Sequence, residues 1–331
     1  MRRRDFVLGA ASLAGATQVW AQTSANSPRL AIVDVTNASA ARINEDHRYY
    51  RIFFGELRRL GRIEGKNLTV ERYSKEELVS DAVALAAEVV RSNPDVIYII
   101  ALSASNFKRE TTTIPIVTIT YDPVATGFAQ SMARPGGNIT GVSVDTGPSI
   151  HGKRIELLRE IFPAMSKLAC ISPKGAWEGL VGAPVRAAAE AAGISVANYP
   201  VQTPGSAVTY RDAVKRASHD GANAIMVVDS PDALANRTAI AEALADVRIP
   251  AIHAFTETVE AGGLIAYAFD LRELVKRMAG DVDAILRGAN PAEIPFYQVS
   301  KFDLSINLMA ARALGLTVPT ALLATAEKVV E

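Results

Sequence analysis

The chain has 331 residues, 49% of them hydrophobic and 21% charged, which exceeds one small domain, suits two of ordinary size and excludes wholesale disorder. Its 35 basic and 35 acidic residues balance. With no clustered basic face to displace counterions from phosphates, nucleic acid is excluded as a partner.

The chain opens on Arg2-Arg3-Arg4-Asp5-Phe6-Val7, continues through a mildly apolar run from Val7 to Val19 and reaches the small-x-small triplet Val19-Trp20-Ala21. That order predicts a signal peptide over residues 1–21, with a twin-arginine-like start, and export to the periplasm. The apolar run falls short of the roughly 20 residues that span a bilayer. Removing this segment leaves 32 basic and 34 acidic residues. Cys170 is the single cysteine, so no internal disulfide forms and no cysteine follows the signal to carry a lipid; a soluble mature protein is expected. Its apolar context, Leu168-Ala169-Cys170-Ile171, reads as a strand with a buried thiol.

From Leu30 onward, short β-rich runs alternate with helical patterns, the sequence form of βαβ units. In the first half, strands are predicted at 32–35, 68–73, 95–102, 116–121 and 139–144, with helices at 50–60 and 77–90. The run 95–102 is apolar without interruption, as for a strand covered on both faces. The polar stretch Asp145-Thr146-Gly147-Pro148-Ser149 reads as a crossing between two lobes. A second set follows, with strands at 168–172, 196–201, 224–229 and 249–255 and helices at 185–192, 210–218 and 234–247. The tail adds a strand at 264–269, a helix at 271–286, the turn Gly288-Ala289-Asn290-Pro291 and a last apolar segment from Phe296. It is expected to cross back once more. The predicted fold class is α/β, two doubly wound parallel-sheet lobes joined by a three-segment hinge.

Five segments carry a family resemblance: Gly61-Arg62-Ile63-Glu64-Gly65-Lys66-Asn67, Ser131 to Gly141, Gly152-Lys153-Arg154-Ile155-Glu156-Leu157-Leu158, Val259-Glu260-Ala261-Gly262-Gly263-Leu264, and Lys301-Phe302 to Asn307. On these, the chain from about Leu30 to Glu331 resembles the tryptophan/tyrosine-type ABC transporter substrate-binding family, whose fold is like the type I periplasmic binding proteins. The resemblance implies one lobe of 28–145 plus 268–297 and another of 146–267 plus 298–331. It also implies a small-molecule ligand between them, an amino acid or related carboxylate, delivered to an ABC permease in the inner membrane. The chain is expected to act as a monomer and to need no cofactor.

In open parallel sheets, ligands lie beyond the carboxyl ends of the strands, where loops and helix starts offer free N–H groups. The loops so placed hold Thr36, Asn37 and Ser39; Ser103 and Ser105; Tyr121 and Asp122; Ser172; Asp229 and Ser230; Phe255 and Glu257. Hydroxyls and N–H groups there suit a carboxylate. Asp229 or Asp122 suits an ammonium group, which needs a partner once dehydrated, and Tyr121 and Phe255 suit an apolar or aromatic side chain. Many relatives have Gly where this chain has Tyr121 and Gly-Thr-Pro where it has Leu102-Ser103-Ala104, so Tyr121 either shrinks the pocket or stacks on the ligand. Asp122-Pro123 and Asp229-Ser230-Pro231 also read as plain helix caps, and Gly262-Gly263 as a tight turn.

His47, His151, His219 and His253 have no metal-ligand spacing, so no metal site is expected. Ser105-Asn106-Phe107-Lys108 matches Ser-x-x-Lys without the companion motifs, and no Gly-x-Ser-x-Gly, Gly-x-Gly-x-x-Gly or Walker loop occurs. No catalytic residue is assigned. Two alternatives stay open: an exported α/β enzyme using Glu257 or Asp229 as a base, and a sensory binding protein.

Overall fold

The computed structural model describes residues 27–35, 40–74, 82–100, 104–144, 149–203 and 205–331. The predicted signal peptide, residues 1–21, lies outside the described residues, as do Thr36, Asn37, Ser39 and Ser103 and most of the crossing at 145–149. Among the described residues no helix is long and apolar enough to cross a membrane.

The chain begins β1 (Arg29–Asp34), α1 (Arg48–Arg59), β2 (Thr69–Tyr73), α2 (Ala82–Arg91), β3 (Val96–Ile100), α3 (Ala104–Glu110), β4 (Ile116–Thr120) and β5 (Ile139–Ser143). It continues through α4 (Ser149–Ile161), β6 (Lys167–Pro173), α5 (Gly182–Ala191), β7 (Ser195–Val201), α6 (Ala207–His219), β8 (Ala224–Val227), α7 (Pro231–Ala235), α8 (Arg237–Val247), β9 (Ala251–His253), α9 (Thr256–Glu260) and β10 (Ile265–Phe269). The tail holds α10 (Leu271–Leu286), β11 (Tyr297–Gln298), β12 (Phe302–Asn307), α11 (Leu308–Ala313), α12 (Thr320–Thr325) and β13 (Lys328–Val330).

Two sheets result. The first has the order β11-β5-β4-β3-β1-β2 and the second β13-β12-β10-β9-β8-β6-β7. All pairs are parallel except β10 with β12. Strands covered on both faces are apolar throughout because successive side chains point to opposite sides. In β1, Leu30 and Ile32 pack with Tyr50, Phe53 and Leu57 of α1 and with Leu274 and Met278 of α10. Ala31 and Val33 pack with Leu85 and Val89 of α2 and Phe107 of α3. The second sheet repeats the division: Leu168 and Cys170 face α4 and α5, whereas Ala169 and Ile171 face α6 and α8. Each fully buried large apolar side chain contributes about 1.5–3 kcal/mol. Gly141 permits the close β4–β5 approach: it has φ 138°, and a Cβ there would lie 2.0 Å from the Thr118 carbonyl oxygen.

Several boundaries differ from the sequence expectation. The helix predicted over 234–247 is two helices, because Ser230 caps α7 through Ala233 N at 3.0 Å with Pro231 at its first position. Asn236 ends α7 by turning its amide to the Asp232 and Gly205 carbonyls, at 2.9 and 3.3 Å, the competition with helical bonding that this side chain offers. The helix predicted at 185–192 starts at Gly182, preceded by a wide turn over Trp177–Val181. The strand predicted over 249–255 pairs only over Ala251–His253, because Phe255 already serves as the extended residue before α9.

Candidate functional site

The carboxyl ends of the strands in the two sheets face each other, and two layers of side chains join them. Tyr121 follows β4 of the first sheet and Asp229 follows β8 of the second. The Tyr121 hydroxyl reaches both the Asp229 carboxylate Oδ2 and, at 2.9 Å, its backbone carbonyl. The other carboxylate oxygen, Oδ1, accepts from Arg154 Nη1 at 3.1 Å. Arg154 projects from α4, is 1% exposed, and donates from Nε to the Tyr267 carbonyl at 3.1 Å. Burial alone would raise Asp229, but Arg154 and the Tyr121 hydroxyl outweigh it and hold the carboxyl below its ordinary value. Asp229 is therefore an ionised carboxylate with both oxygens engaged, which is a poor arrangement for a general base.

The second layer lies nearer the rim. Tyr49, at the start of α1, donates to Glu257 Oε1, at the start of α9. Arg48 lies 3.7 Å from the same oxygen and 2.9 Å from Glu260, which also pairs with Lys328 of β13. Burial and the adjacent Glu257 carboxylate push the Tyr49 hydroxyl upward, so it stays a donor. A cavity of about 310 Å³ opens beside this layer, walled by Arg48, Glu257, Asp270, Arg272, Asp303 and Lys328 among others. Phe255 is 6% exposed, meets Phe269 edge-on at 6.0 Å between ring centroids and joins the apolar cluster of the first sheet, where Tyr121 also packs.

The remaining sequence candidates are turned to local partners. Asp122 Oδ1 accepts from Val124 N at 2.8 Å and Ala125 N at 2.9 Å; residues 123–127 form turns and not the helix expected there, so Asp122 closes a turn and caps no helix. Ser230 caps α7 and meets the Tyr210 hydroxyl at 3.3 Å. Ser172 is 1% exposed and donates to Asn198 Oδ1 at 2.7 Å. Ser105 is the second residue of α3, half-buried. The structure thus brings Tyr121, Asp229, Phe255 and Glu257 to the meeting faces and leaves Asp122, Ser172 and Ser230 in bonds within their own lobe.

Sequence reasoning passed over Arg48, Tyr49 and Arg154 as site residues. Arg154 had a signal: it falls in line with Leu157, Leu158 and Ile161 on the buried stripe of α4, and a charged residue there demands a partner. Arg48 and Tyr49 carried none, since their partners lie more than 200 positions away. His253, at the end of β9, is 1% exposed, burial pulls it down to about 3, and neither ring nitrogen has a hydrogen-bond partner. It packs under Gly263, where a Cβ would lie 2.8 Å from its Nε2. Cys170 is wholly buried and its thiol is pushed up to about 12 by that burial. Among the described residues no group of three or more His, Cys, Asp or Glu is placed to hold a metal ion.

Comparison with known proteins agrees with this architecture. A tyrosine-binding protein of Clostridioides difficile (strain R20291) is 23% identical over 271 residues, covering 80% of this chain and 75% of the relative. The crystal structure of a conserved domain protein from Vibrio cholerae O1 biovar El Tor superposes with a TM-score of 0.79 at 24% identity, covering 92% of this chain and 100% of that one. An ABC domain from Streptococcus pneumoniae in complex with L-Trp gives a TM-score of 0.79 at 20% identity over the same shares. The fold is that of the type I periplasmic binding proteins. The profile of the ABC transporter substrate binding protein family matches residues 49–330, and the chain belongs to that family.

Proposed function

We propose that this chain captures a small organic solute between its two lobes and delivers it to an ABC permease of the inner membrane, working as a monomer in the periplasm after export. The lobes correspond to residues 28–145 with 268–297 and 146–267 with 298–331, moving about the segments that cross between them. One observation carries the reading: strand ends of two separate sheets meet through Tyr121 and Asp229, so a solute seated between them touches both lobes at once and favours their approach. Its class is an amino acid or related carboxylate; relatives named for tyrosine and bound to L-Trp support this.

Binding rather than turnover is the expected activity, because Asp229 is neutralised by Arg154 and the Cys170 thiol is sealed in the core. Thermal unfolding in the presence of amino acids and small aromatic or branched carboxylates tests the reading. A solute at 100 times its Kd stabilises a folded state by about 2.7 kcal/mol, which raises the melting temperature by several degrees. X-ray scattering with that solute should then show a smaller radius of gyration than without it. Absence of any thermal shift across such a panel would count against it.

A further inference from the structure

Asp229 stands where a bound solute's ammonium group would seek a carboxylate, yet neither of its oxygens is open. Oδ1 is held by Arg154, whose guanidinium is itself fixed, being 1% exposed and bonded to the Tyr267 carbonyl. Oδ2 faces the Tyr121 hydroxyl, which comes from the opposite lobe. The pair Arg154–Asp229 is already neutral. An ammonium group added beside it would bring an unbalanced positive charge to a place where the Asp229 side chain is 10% exposed, and it would compete with a buried arginine and with Tyr121 for the same two oxygens. The neighbouring carboxylate, Asp122, directs its Oδ1 into its own turn. At the rim, Glu257 has its Oε1 facing Tyr49 and Arg48.

From this geometry we infer that Tyr121 sets the specificity of the cleft: by occupying Asp229 from across the lobes it selects solutes that lack an ammonium group, organic acids with an apolar or aromatic body, over the corresponding α-amino acids. The inference rests on the solute-binding reading above and narrows its ligand class. Tyr121 acts as a donor that competes with the ammonium group for the same oxygen. Its ring, packed in the apolar cluster with Phe255 and Phe269, holds the hydroxyl in that position.

The test is isothermal titration of the full chain with matched pairs that differ only in the amine: tyrosine against 3-(4-hydroxyphenyl)propanoic acid, tryptophan against 3-(indol-3-yl)propanoic acid, and leucine against 4-methylpentanoic acid. The amine-free member of at least one pair is expected to bind ten or more times more tightly. Tyr121→Phe, which keeps the ring and removes the donor, is expected to narrow that ratio at least threefold by improving the amino acid. Equal or tighter binding of the amino acids by the unaltered chain, or an unchanged ratio in Tyr121→Phe, would overturn the inference and leave the solute-binding reading intact. Binding of neither member of any pair would overturn the solute-binding reading for this class, and the inference with it.

Discussion

The two layers that join the lobes each centre on a tyrosine, an arginine and carboxylate oxygens, one carboxylate in the inner layer and two in the outer, and they differ most in how far the arginine stands from water. In the inner layer the side chains of Arg154 and Asp229 are 1% and 10% exposed. In the outer layer Arg48 is 45% exposed, and its partners Glu257 and Glu260 are 12% and 29% exposed. Exposed ion pairs give little, about 0–1 kcal/mol, and fade with salt. A buried pair broken on one side costs far more, because the remaining charge keeps its desolvation and loses its partner. The inner layer is therefore the one whose chemistry decides how the lobes meet, and the outer layer trims the approach.

The strongest way to break this comparison is Arg154→Met, which leaves Asp229 buried without a cation. A loss of about 3–5 kcal/mol is expected in urea unfolding at neutral pH. The pH dependence should change sign as well. Asp229 now lies below its ordinary value, so its contribution is complete above the unfolded carboxyl pKa, about 3.9, and is lost as pH falls through the lower folded value. Without Arg154, burial dominates, the folded value rises, and stability should fall with increasing pH instead.

Asp281 of α10 already shows what a buried carboxyl does when its cation is distant. Arg277 is 4.0 Å away, Oδ2 has no hydrogen-bond partner, and burial raises the carboxyl to about 7. Its protonated form favours the fold, and that stabilisation is lost as pH rises from about 4 through 7. Asp281→Asn should therefore stabilise the chain at pH 8 by roughly 1–3 kcal/mol and by about a third as much at pH 5, as read from melting temperatures at the two values.

A smaller effect sharpens the same contrast. Tyr121→Phe removes one hydrogen bond to an ionised group and should cost about 1–2 kcal/mol in denaturant unfolding, with a larger radius of gyration as the lobes lose their inner contact. Arg48→Ala, in the outer layer, should cost under about 1 kcal/mol, and the difference should vanish in 0.5 M salt. A cost there that matched Tyr121→Phe would break the inner-versus-outer distinction.

The alternating strands and helices were legible because strands covered on both faces leave an uninterrupted apolar signature, as in Val96–Ile100, which needs no knowledge of the partner strand. The break at Asn236 was not legible, since a polar residue inside an apolar pattern gives no sign of which carbonyl it will choose. For the site, the rule that strand ends face a cleft led to Tyr121, Asp229, Phe255 and Glu257. It did not reveal that Asp229 would be taken by Arg154, because that contact joins a helix stripe to a loop 75 positions away. It depends on how α4 rolls against β9 and β10. Thr36, Asn37, Ser39 and Ser103 stand outside the described residues.

The first sheet has an implication for how the chain is made. Its layer of covering helices includes α10, and one of its two edge strands is β11, yet both are encoded after the whole run from α4 to β10. A ribosome therefore releases the apolar faces of Tyr50, Phe53 and Leu57 long before Leu274, Val275 and Met278 exist to cover them. The amino-terminal half completes this core only once Leu286, the end of α10, has emerged, and a fragment that stops before α10 leaves Tyr50, Phe53 and Leu57 without that cover.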